Sequence, residues 1–307
     1  MKGKVLKSTG SWYTVLGENS QNYKCKVRGK LRLKTIKTTN PITVGDNVEF
    51  DPENDDSTGN ITAVIPRKNY IIRKSSNLSR EAHIIAANID QAILVVTVEF
   101  PETNLVFIDR YLATAEAYQI PAILVFNKID LLEGEFEEKL SYYMSIYSSL
   151  YPCYKVSANT GIGVNDIASV LEGKISLISG NSGVGKSTLI NRIEPKLKLK
   201  TADISHYHLK GKHTTTFSEM FPLTNGGFII DTPGIKGFGL VDMDKREIFH
   251  FFPEIFEVSA QCQYKNCTHE HEPGCAVKKA VENGLINPSR YYSYLSILSD
   301  EENKYRL

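Results

Sequence analysis

One eight-residue segment of the sequence combines glycines, a lysine and a serine in a spacing that suits phosphate binding. Gly180–Ser187 matches G-x-x-x-x-G-K-[ST] at every fixed position, after an apolar run and before a helical pattern. Glycines let backbone N–H groups wrap phosphate oxygens, Lys186 reaches the β and γ phosphates, and the Ser187 hydroxyl binds magnesium. The segment predicts a nucleoside triphosphate and magnesium site, with Lys186 also acting in catalysis. Its expected contacts are Gly180, Asn181, Ser182, Gly183, Val184, Gly185, Lys186, Ser187 and Thr188.

A second motif, Asp231-Thr232-Pro233-Gly234, follows the apolar run Phe228–Ile230. A carboxylate at the end of a buried strand beside the phosphate loop can hold the magnesium shell, and a glycine amide can sense the γ phosphate. The tetrapeptide alone is also a common turn. Its position downstream of the phosphate loop favours the functional interpretation, so we expect Asp231 to bind magnesium and Gly234 to contact the nucleotide.

Two further segments are expected to bind the base, Asn127-Lys128-Ile129-Asp130 and Ser157-Ala158-Asn159, and each follows a predicted strand. The Asp130 carboxylate can accept from guanine N1–H and the N2 amine, whereas adenine lacks that amine. We expect Lys128 to pack its stem over the base and Asn127 to tie this loop to the phosphate loop. A backbone N–H of the Ser157–Asn159 segment would donate to guanine O6. These segments predict GTP as the ligand.

The order of these motifs is unusual, because the base-reading segments precede the phosphate loop and the aspartate motif comes last. All of them follow apolar runs that alternate with helical patterns, which indicates a parallel sheet covered by helices. Ligands of such sheets bind at the carboxyl ends of the strands. The order therefore predicts a circularly permuted GTPase domain, in which the old chain ends lie close together.

A cluster of cysteines and histidines near the end of the chain has the spacing of a metal site. Cys262, Cys267 and Cys275 lie within 14 residues of one another, with His269 and His271 between them. Three thiolates and one imidazole make a closed tetrahedral zinc set, which is structural and leaves no ligand position for chemistry. The residues alone leave either histidine as the fourth ligand.

The remaining residues show patterns that predict domains on either side of these motifs. Short alternating strands separated by turns occupy about the first 65 residues and favour a small barrel of the OB type, with an SH3-like barrel as the alternative. Residues 1–40 hold ten Lys or Arg and one acid, which fits either a polyanionic partner or a solvated face. After residue 242 the pattern is helical, with an apolar stripe that begins beyond Pro288.

Composition places the chain among globular proteins that work in water. Its 307 residues fit two or three domains, and its formal net charge is +1. No apolar run is long enough to cross a membrane, and the basic N-terminus lacks the apolar core of a secretory signal. We therefore expect a cytoplasmic protein without a membrane partner, acting as a monomer.

Together these motifs closely resemble the circularly permuted, small-subunit-dependent GTPase A family of bacteria (RsgA, also called YjeQ or YloQ). The resemblance covers essentially the whole chain and includes Gly211-Lys212-His213-Thr214-Thr215-Thr216. It implies an OB-fold domain at 1–67 that binds ribosomal RNA, a permuted GTPase domain at 68–242 and a helical zinc domain at 243–307. It also favours His269 as the fourth zinc ligand.

The resemblance implies a late assembly factor of the small (30S) ribosomal subunit that hydrolyses GTP to GDP and phosphate when the subunit stimulates it. It places the first switch at Gly211–Thr216, with Thr215 as a candidate catalytic and magnesium-binding residue. Ile235 occupies the position where small GTPases carry a water-orienting glutamine and has no polar group to do that work. His213 is the candidate replacement, and a solvent-exposed loop histidine is an equal interpretation.

Two other functions fit parts of this pattern. Ile235 is compatible with an RNA-binding module that holds GTP as a structural ligand and hydrolyses little of it. An ATP-dependent nucleic-acid motor fits the phosphate loop, but Asn127–Asp130 argues against adenine. GTPase assays with and without ribosomal subunits, and nucleotide competition, separate these functions.

Overall fold

The N-terminal region is a closed barrel of five short strands. The computed structural model describes residues 1–27, 41–53, 57–74, 82–199, 218–231 and 244–303. The strands are β1 (Lys2–Ser8), β2 (Tyr13–Gly17), β3 (Asn22–Val27), β4 (Asn47–Pro52) and β5 (Thr58–Val64). Inward and outward side chains alternate along β2 and β3, and Val15, Cys25 and Phe50 are among those that fill the interior. The pairing order β1-β2-β3-β5-β4, closed by β4 on β1, confirms the OB fold.

A hairpin follows the barrel where the sequence reads only as a basic connecting segment. Its strands are β6 (Tyr70–Lys74) and β7 (Ala82–Ala87). Arg67, just before it, donates from Nε and one Nη to the Asp46 carboxylate at 2.6 and 2.7 Å, and Asp46 is fully buried. This ion pair fixes the chain that leaves the barrel.

The central domain contains a sheet whose strand order is β10-β9-β8-β11-β13-β12. All neighbouring pairs are parallel except β12–β13, which is antiparallel. The strands are β8 (Gln91–Val96), β9 (Ala122–Phe126), β10 (Cys153–Lys155), β11 (Ile175–Ser179), β12 (Glu219–Pro222) and β13 (Phe228–Asp231). Because five of these strands are parallel, their carboxyl ends share one edge, and every base- or phosphate-binding segment predicted from the sequence follows one of those ends.

Helices cover both faces of this sheet, as the alternating pattern predicts. Strands β8, β9 and β11 are buried along their whole length, so their side chains pack on both faces. Around the sheet lie α1 (Leu105–Ala117), α2 (Glu135–Tyr147), α3 (Val164–Leu171) and α4 (Lys186–Ile193).

The barrel and the central sheet are joined edge to edge, because β1 pairs antiparallel with β12 at Lys7 and Glu219. Lys7 Nζ and Glu219 Oε2 also lie 2.8 Å apart. Strand β12 begins directly after the predicted first switch, Gly211–Thr216, which lies outside the described residues. The barrel therefore contacts the strand that leads from that segment to Asp231.

The C-terminal region is helical, as expected. A 3-10 helix at Lys245–Phe251 is followed by α5 (Pro253–Ser259), α6 (Ala276–Glu282) and α7 (Pro288–Asn303). Arg290 of α7 is 1% exposed and donates to Asp109 of α1 at 2.7 Å and to Glu254 of α5 at 2.6 Å. This network fastens the C-terminal helices to the central domain. Among the described residues, no helix has the length and apolar character needed to span a bilayer.

Candidate nucleotide and metal sites

The phosphate loop connects β11 to α4 in the strand–loop–helix context that the sequence predicts. Gly180, Gly183 and Gly185 have φ values of +147°, +84° and +91°, which L side chains rarely adopt. A Cβ on Gly180 would also lie 2.2 Å from the Val95 carbonyl oxygen. The Lys186 ammonium donates to the carbonyls of Gly180 and Asn181 at 2.5 and 2.7 Å, so the cation lies across the loop.

Asn127 joins the base-reading segment to the phosphate loop, as predicted. Its side chain is 3% exposed. Nδ2 donates to the Val184 carbonyl at 2.8 Å, and Oδ1 accepts from the Ala158 N–H at 3.0 Å. One buried amide therefore holds together three loops that follow β9, β10 and β11. The Ala158 N–H, one of the backbone donors expected to bind guanine O6, is hydrogen-bonded to Asn127 instead.

Asp130 and Lys128 lie where β9 ends. Asp130 is in a 3-10 helix at Ile129–Leu131 and is exposed, so its carboxylate is accessible to a base. Lys128 has φ +65°, and its Nζ donates to the Phe100 carbonyl at 2.6 Å. The loop between β8 and α1 thus anchors the lysine expected to cover the base.

No motif in the sequence indicates this β8–α1 loop. Lys139 of α2 holds it through Glu99 and Glu102, at 3.1 and 2.8 Å, and its Pro101 packs near Gly183 of the phosphate loop. The Glu102 carboxyl has a pKa lowered mainly by its bond to Lys139, which keeps the pair charged. The loop therefore contacts both the base-reading lysine and the phosphate loop.

Arg192 is a second residue that no motif indicated. It lies in the last turn of α4, and its guanidinium donates to the carbonyls of Asn159 and Thr160 at 2.7 and 3.1 Å. The helix that follows the phosphate loop is thereby tied to the loop after β10. Its only sequence signal is its position five residues after Ser187.

The predicted magnesium ligands come from neighbouring strand ends. Ser187 is at the start of α4 and is 7% exposed. Asp231 ends β13 and pairs in register with Ile178, just before the phosphate loop. A hydroxyl and a carboxylate are the oxygen donors that magnesium prefers, so this donor set fits the ion. The other predicted residues of this part of the site, His213, Thr215 and Gly234, lie outside the described residues.

The C-terminal cysteines and one histidine form a compact cluster. One donor atom from each of Cys262, Cys267, His269 and Cys275 lies within 4.8 Å of the others. His269 Nδ1 is 3.5 Å from Cys262 Sγ and 3.6 Å from Cys275 Sγ. Tetrahedral zinc, with bonds of about 2.3 Å to sulfur and 2.0 Å to nitrogen, places S and N about 3.6 Å apart. The spacing of these atoms therefore fits a tetrahedral metal ion.

The structure also separates the two candidate histidines. His269 is 1% exposed, and burial lowers its pKa, which favours the neutral imidazole that metals bind. The His271 side chain is 87% exposed and faces Glu270. Tyr291 and Tyr294 of α7 donate to the His269 and Thr268 carbonyls, each at 2.6 Å. The loop that carries Thr268 and His269 is thus attached to the last helix.

The strand order and the loops at its carboxyl edge define a P-loop GTPase domain with permuted motifs, flanked by an OB barrel and a helical domain with a Cys₃His group. Family models agree: the RsgA N-terminal domain matches residues 2–61, and the RsgA GTPase matches residues 64–241. The chain belongs to the RsgA GTPase family, which confirms the resemblance drawn from its motifs.

Relatives and solved structures extend this match to the full chain. A Phocaeicola vulgatus protein named small ribosomal subunit biogenesis GTPase RsgA is 57% identical, covering 100% of this chain and 99% of its own. YjeQ from Thermotoga maritima is 39% identical with a TM-score of 0.80, covering 97% of each chain. YloQ, described as a circularly permuted GTPase, is 30% identical with a TM-score of 0.75 and covers 99% of this chain and 95% of its own.

The Asn127 link makes a prediction about nucleotide affinity. Asn127→Ala removes both hydrogen bonds and leaves the Val184 carbonyl and the Ala158 N–H buried without them. Each unsatisfied group costs about 1–3 kcal/mol, so we expect GTP affinity to fall roughly a hundredfold as the loops lose their arrangement. Isothermal calorimetry with GTP measures this.

Asn225→Ala is the matched control. Asn225 makes the same kind of bonds, donating to the Ala168 carbonyl and accepting from the Gly227 N–H, but it lies in the turn between β12 and β13, beside α3. GTP affinity should be unchanged in this variant. Equal losses in both variants would mean that Asn127 has no special part in the nucleotide site.

Proposed function

We propose that this protein hydrolyses GTP while assisting the biogenesis of the small ribosomal subunit, with the subunit and its RNA as partners. This proposal rests on sequence similarity, because relatives named for that activity match this chain over its whole length. The loops at the carboxyl edge of the sheet provide the means, since Asn127 draws the base- and phosphate-binding segments together. We also propose that the protein acts in the cytoplasm as a monomer.

The proposed chemistry gives each predicted site residue a task. Asp130 accepts from guanine N1–H and N2, while Lys128, held by the Phe100 carbonyl, covers the base. Gly180–Gly185 wrap the phosphates, and Lys186 moves from the loop carbonyls to the β and γ phosphate oxygens. Ser187, Asp231 and Thr215 would hold a magnesium ion, and that ion would neutralise charge on the phosphates when bound.

Water attack on the γ phosphorus breaks its bond to the bridging oxygen, and GDP leaves with that electron pair. Gly234 would donate its amide to the γ phosphate. We assign the orientation of water to His213, because Ile235 has no side-chain donor or acceptor. We also propose that zinc is the metal of the Cys₃His group and that its role is structural.

The proposal is tested by measuring multiple-turnover GTP hydrolysis with no ribosomal particle, with purified small subunits and with large subunits. We expect about 10⁻⁴ to 10⁻² s⁻¹ for the free protein, the range of unassisted GTPases, and a marked rise with small subunits alone. Equal rates under all three conditions would contradict it. That result would favour the second candidate, a GTP-liganded RNA-binding module, for which Ile235 is the supporting residue.

A prediction follows for His213. His213→Ala should lose most of the subunit-stimulated turnover and keep GTP affinity, because Lys186, Ser187 and Asp130 contribute the binding. His271→Ala is the matched control, since that histidine is exposed beside the metal cluster. Stimulated turnover and GTP affinity are measured on the same preparations. If the small subunit stimulates His213→Ala as strongly as the parent protein, a group other than His213 must orient the attacking water.

A further inference from the structure

We propose that the outer face of β2 and β3 binds an unpaired RNA base, with the base stacked on Trp12 and flanking phosphates on Lys24 and Lys26. This inference rests on the proposed function, because ribosomal RNA supplies the base. Trp12 is the residue that would contact the RNA, and the RNA would be unpaired at that position.

The strand register places these three side chains on one face. Tyr13 pairs with Cys25 and Thr14 with Lys24, and both Tyr13 and Cys25 are buried in the barrel. Because side chains alternate along a strand, Trp12, Lys24 and Lys26 belong to the opposite, outer face. The ammonium groups lie over the Trp12 ring, 4.6 Å from its centroid for Lys24 and 4.1 Å for Lys26.

A shallow cavity of about 260 Å³ opens beside the ring, and Thr14, Asn22 and Ser57 are among its lining residues. Drug-sized sites enclose about 300–1,000 Å³, so this cavity suits a single planar ring system. Its hydroxyl and amide groups can bond the edge of a base. Glu53, which lies just after β4, accepts from Thr58 and Asn60 at 2.6 and 2.8 Å.

The chemistry of this face selects a nucleotide. An aromatic ring favours a planar partner, and two lysines favour an anion, so a base with phosphates on both sides satisfies both. Trp12 is half-buried and both lysines are exposed, so each cation is held weakly over the ring and can turn to a phosphate when a base takes its place. The strand 2–3 face is also where OB folds bind oligonucleotides.

The same chemistry selects unpaired RNA over duplex RNA. Bases inside an A-form helix are stacked on both sides, and their major-groove edges are too deep for side chains. Only a splayed base offers a free face to Trp12. Lysines, in contrast, contact phosphates of either form.

The sequence contains one tryptophan, so the indole emission of the full-length protein reports on Trp12 alone. We would titrate the protein with an oligoadenylate of about ten nucleotides, within the range that one OB fold covers. We expect saturable quenching. A GC-rich RNA duplex of the same length should bind through charge without that quenching, and adenosine monophosphate should bind far more weakly than the oligomer.

Variants are compared by the anisotropy of labelled RNA. Trp12→Leu should bind the single strand about tenfold more weakly, as expected for one lost base stack, and the duplex equally well. Trp12→Phe should restore most of the affinity, and Lys24→Gln should weaken both RNAs. Tyr292→Leu, which changes an exposed aromatic of α7, should change neither.

Absence of quenching by the oligomer would overturn the proposal, whether or not the variants fold. Equal losses of single strand and duplex in Trp12→Leu would overturn it too, as would binding of the monophosphate as tight as the oligomer's. Subunit-stimulated GTP hydrolysis is measured separately. Stimulation without quenching would reject the Trp12 site and keep the proposed function. Quenching without stimulation would keep the Trp12 site and reject the proposed function.

Discussion

Cys267→Ser is expected to remove the metal from the C-terminal domain and to unfold much of that domain. Cys267 is 5% exposed and packs in the same core as Ile255, Val277 and Tyr294, so the cluster is part of the domain interior. Structural zinc contributes on the order of 10 kcal/mol to the folding of small zinc domains. Elemental analysis should give about one zinc per parent chain and well below that in the variant. Hydrogen exchange should become fast in residues 253–282.

GTP affinity should change little in Cys267→Ser, because no ligand of the cluster belongs to the nucleotide loops. Cys153→Ser is the matched control: this half-buried thiol donates to the Tyr151 carbonyl, away from the cluster. It should retain the zinc and the protected amides. Full zinc occupancy in Cys267→Ser would exclude that residue as a ligand.

Arg290→Met is expected to destabilise the protein by about 3–5 kcal/mol, the usual cost of removing one partner from a buried ion network. Asp109 is fully buried and also accepts from Tyr147 at 2.8 Å. Burial raises the pKa of Asp109, and the Arg290 guanidinium opposes that rise. Without Arg290, the carboxyl must stay buried without a cation or take up a proton. Urea unfolding measures the loss.

Arg246→Met is the control for this change. Arg246 also pairs with an aspartate, Asp244, at 2.6 Å, but its side chain is 75% exposed. Solvent screens such exposed pairs, so the free energy of unfolding should change little in this variant. Adding Asp109→Leu to Arg290→Met should recover part of the stability, since the unpaired carboxyl is removed. A loss below about 1 kcal/mol in Arg290→Met would mean that water or another cation compensates Asp109.

The sequence predicted those parts of the fold and the site that depend on local pattern. The predicted strands Ala122–Phe126 and Ile175–Ser179 match β9 and β11 residue for residue, because strands buried on both faces are mostly apolar, interrupted in β11 only by Ser176 and Ser179. Asn127 was assigned its link to the phosphate loop because that role belongs to a motif of fixed spacing. The domain boundaries at 67/68 and 242/243 stay predictions.

What the sequence did not predict depends on contacts between distant residues. The β6–β7 hairpin lies in a basic segment, where the apolar run Tyr70–Ile72 is followed at once by Arg73 and Lys74 and is too short to indicate a strand. Arg192 and Lys139 belong to no motif, and each acts through loops that the fold brings beside it. Arg290 precedes the apolar stripe of α7, and only the packed structure shows that this cation is buried.

We propose that a base-reading loop upstream of the phosphate loop selects guanine through Asp130. The most direct test compares the affinities of GTP and xanthosine triphosphate for the parent and for Asp130→Asn by calorimetry. Guanine carries an amine at C2 and xanthine a carbonyl, so replacing one carboxylate oxygen with an amide donor should reverse the preference. We expect GTP affinity to fall at least tenfold and xanthosine triphosphate affinity to rise, as one hydrogen bond is lost and one gained. Unchanged GTP affinity in Asp130→Asn would contradict the account.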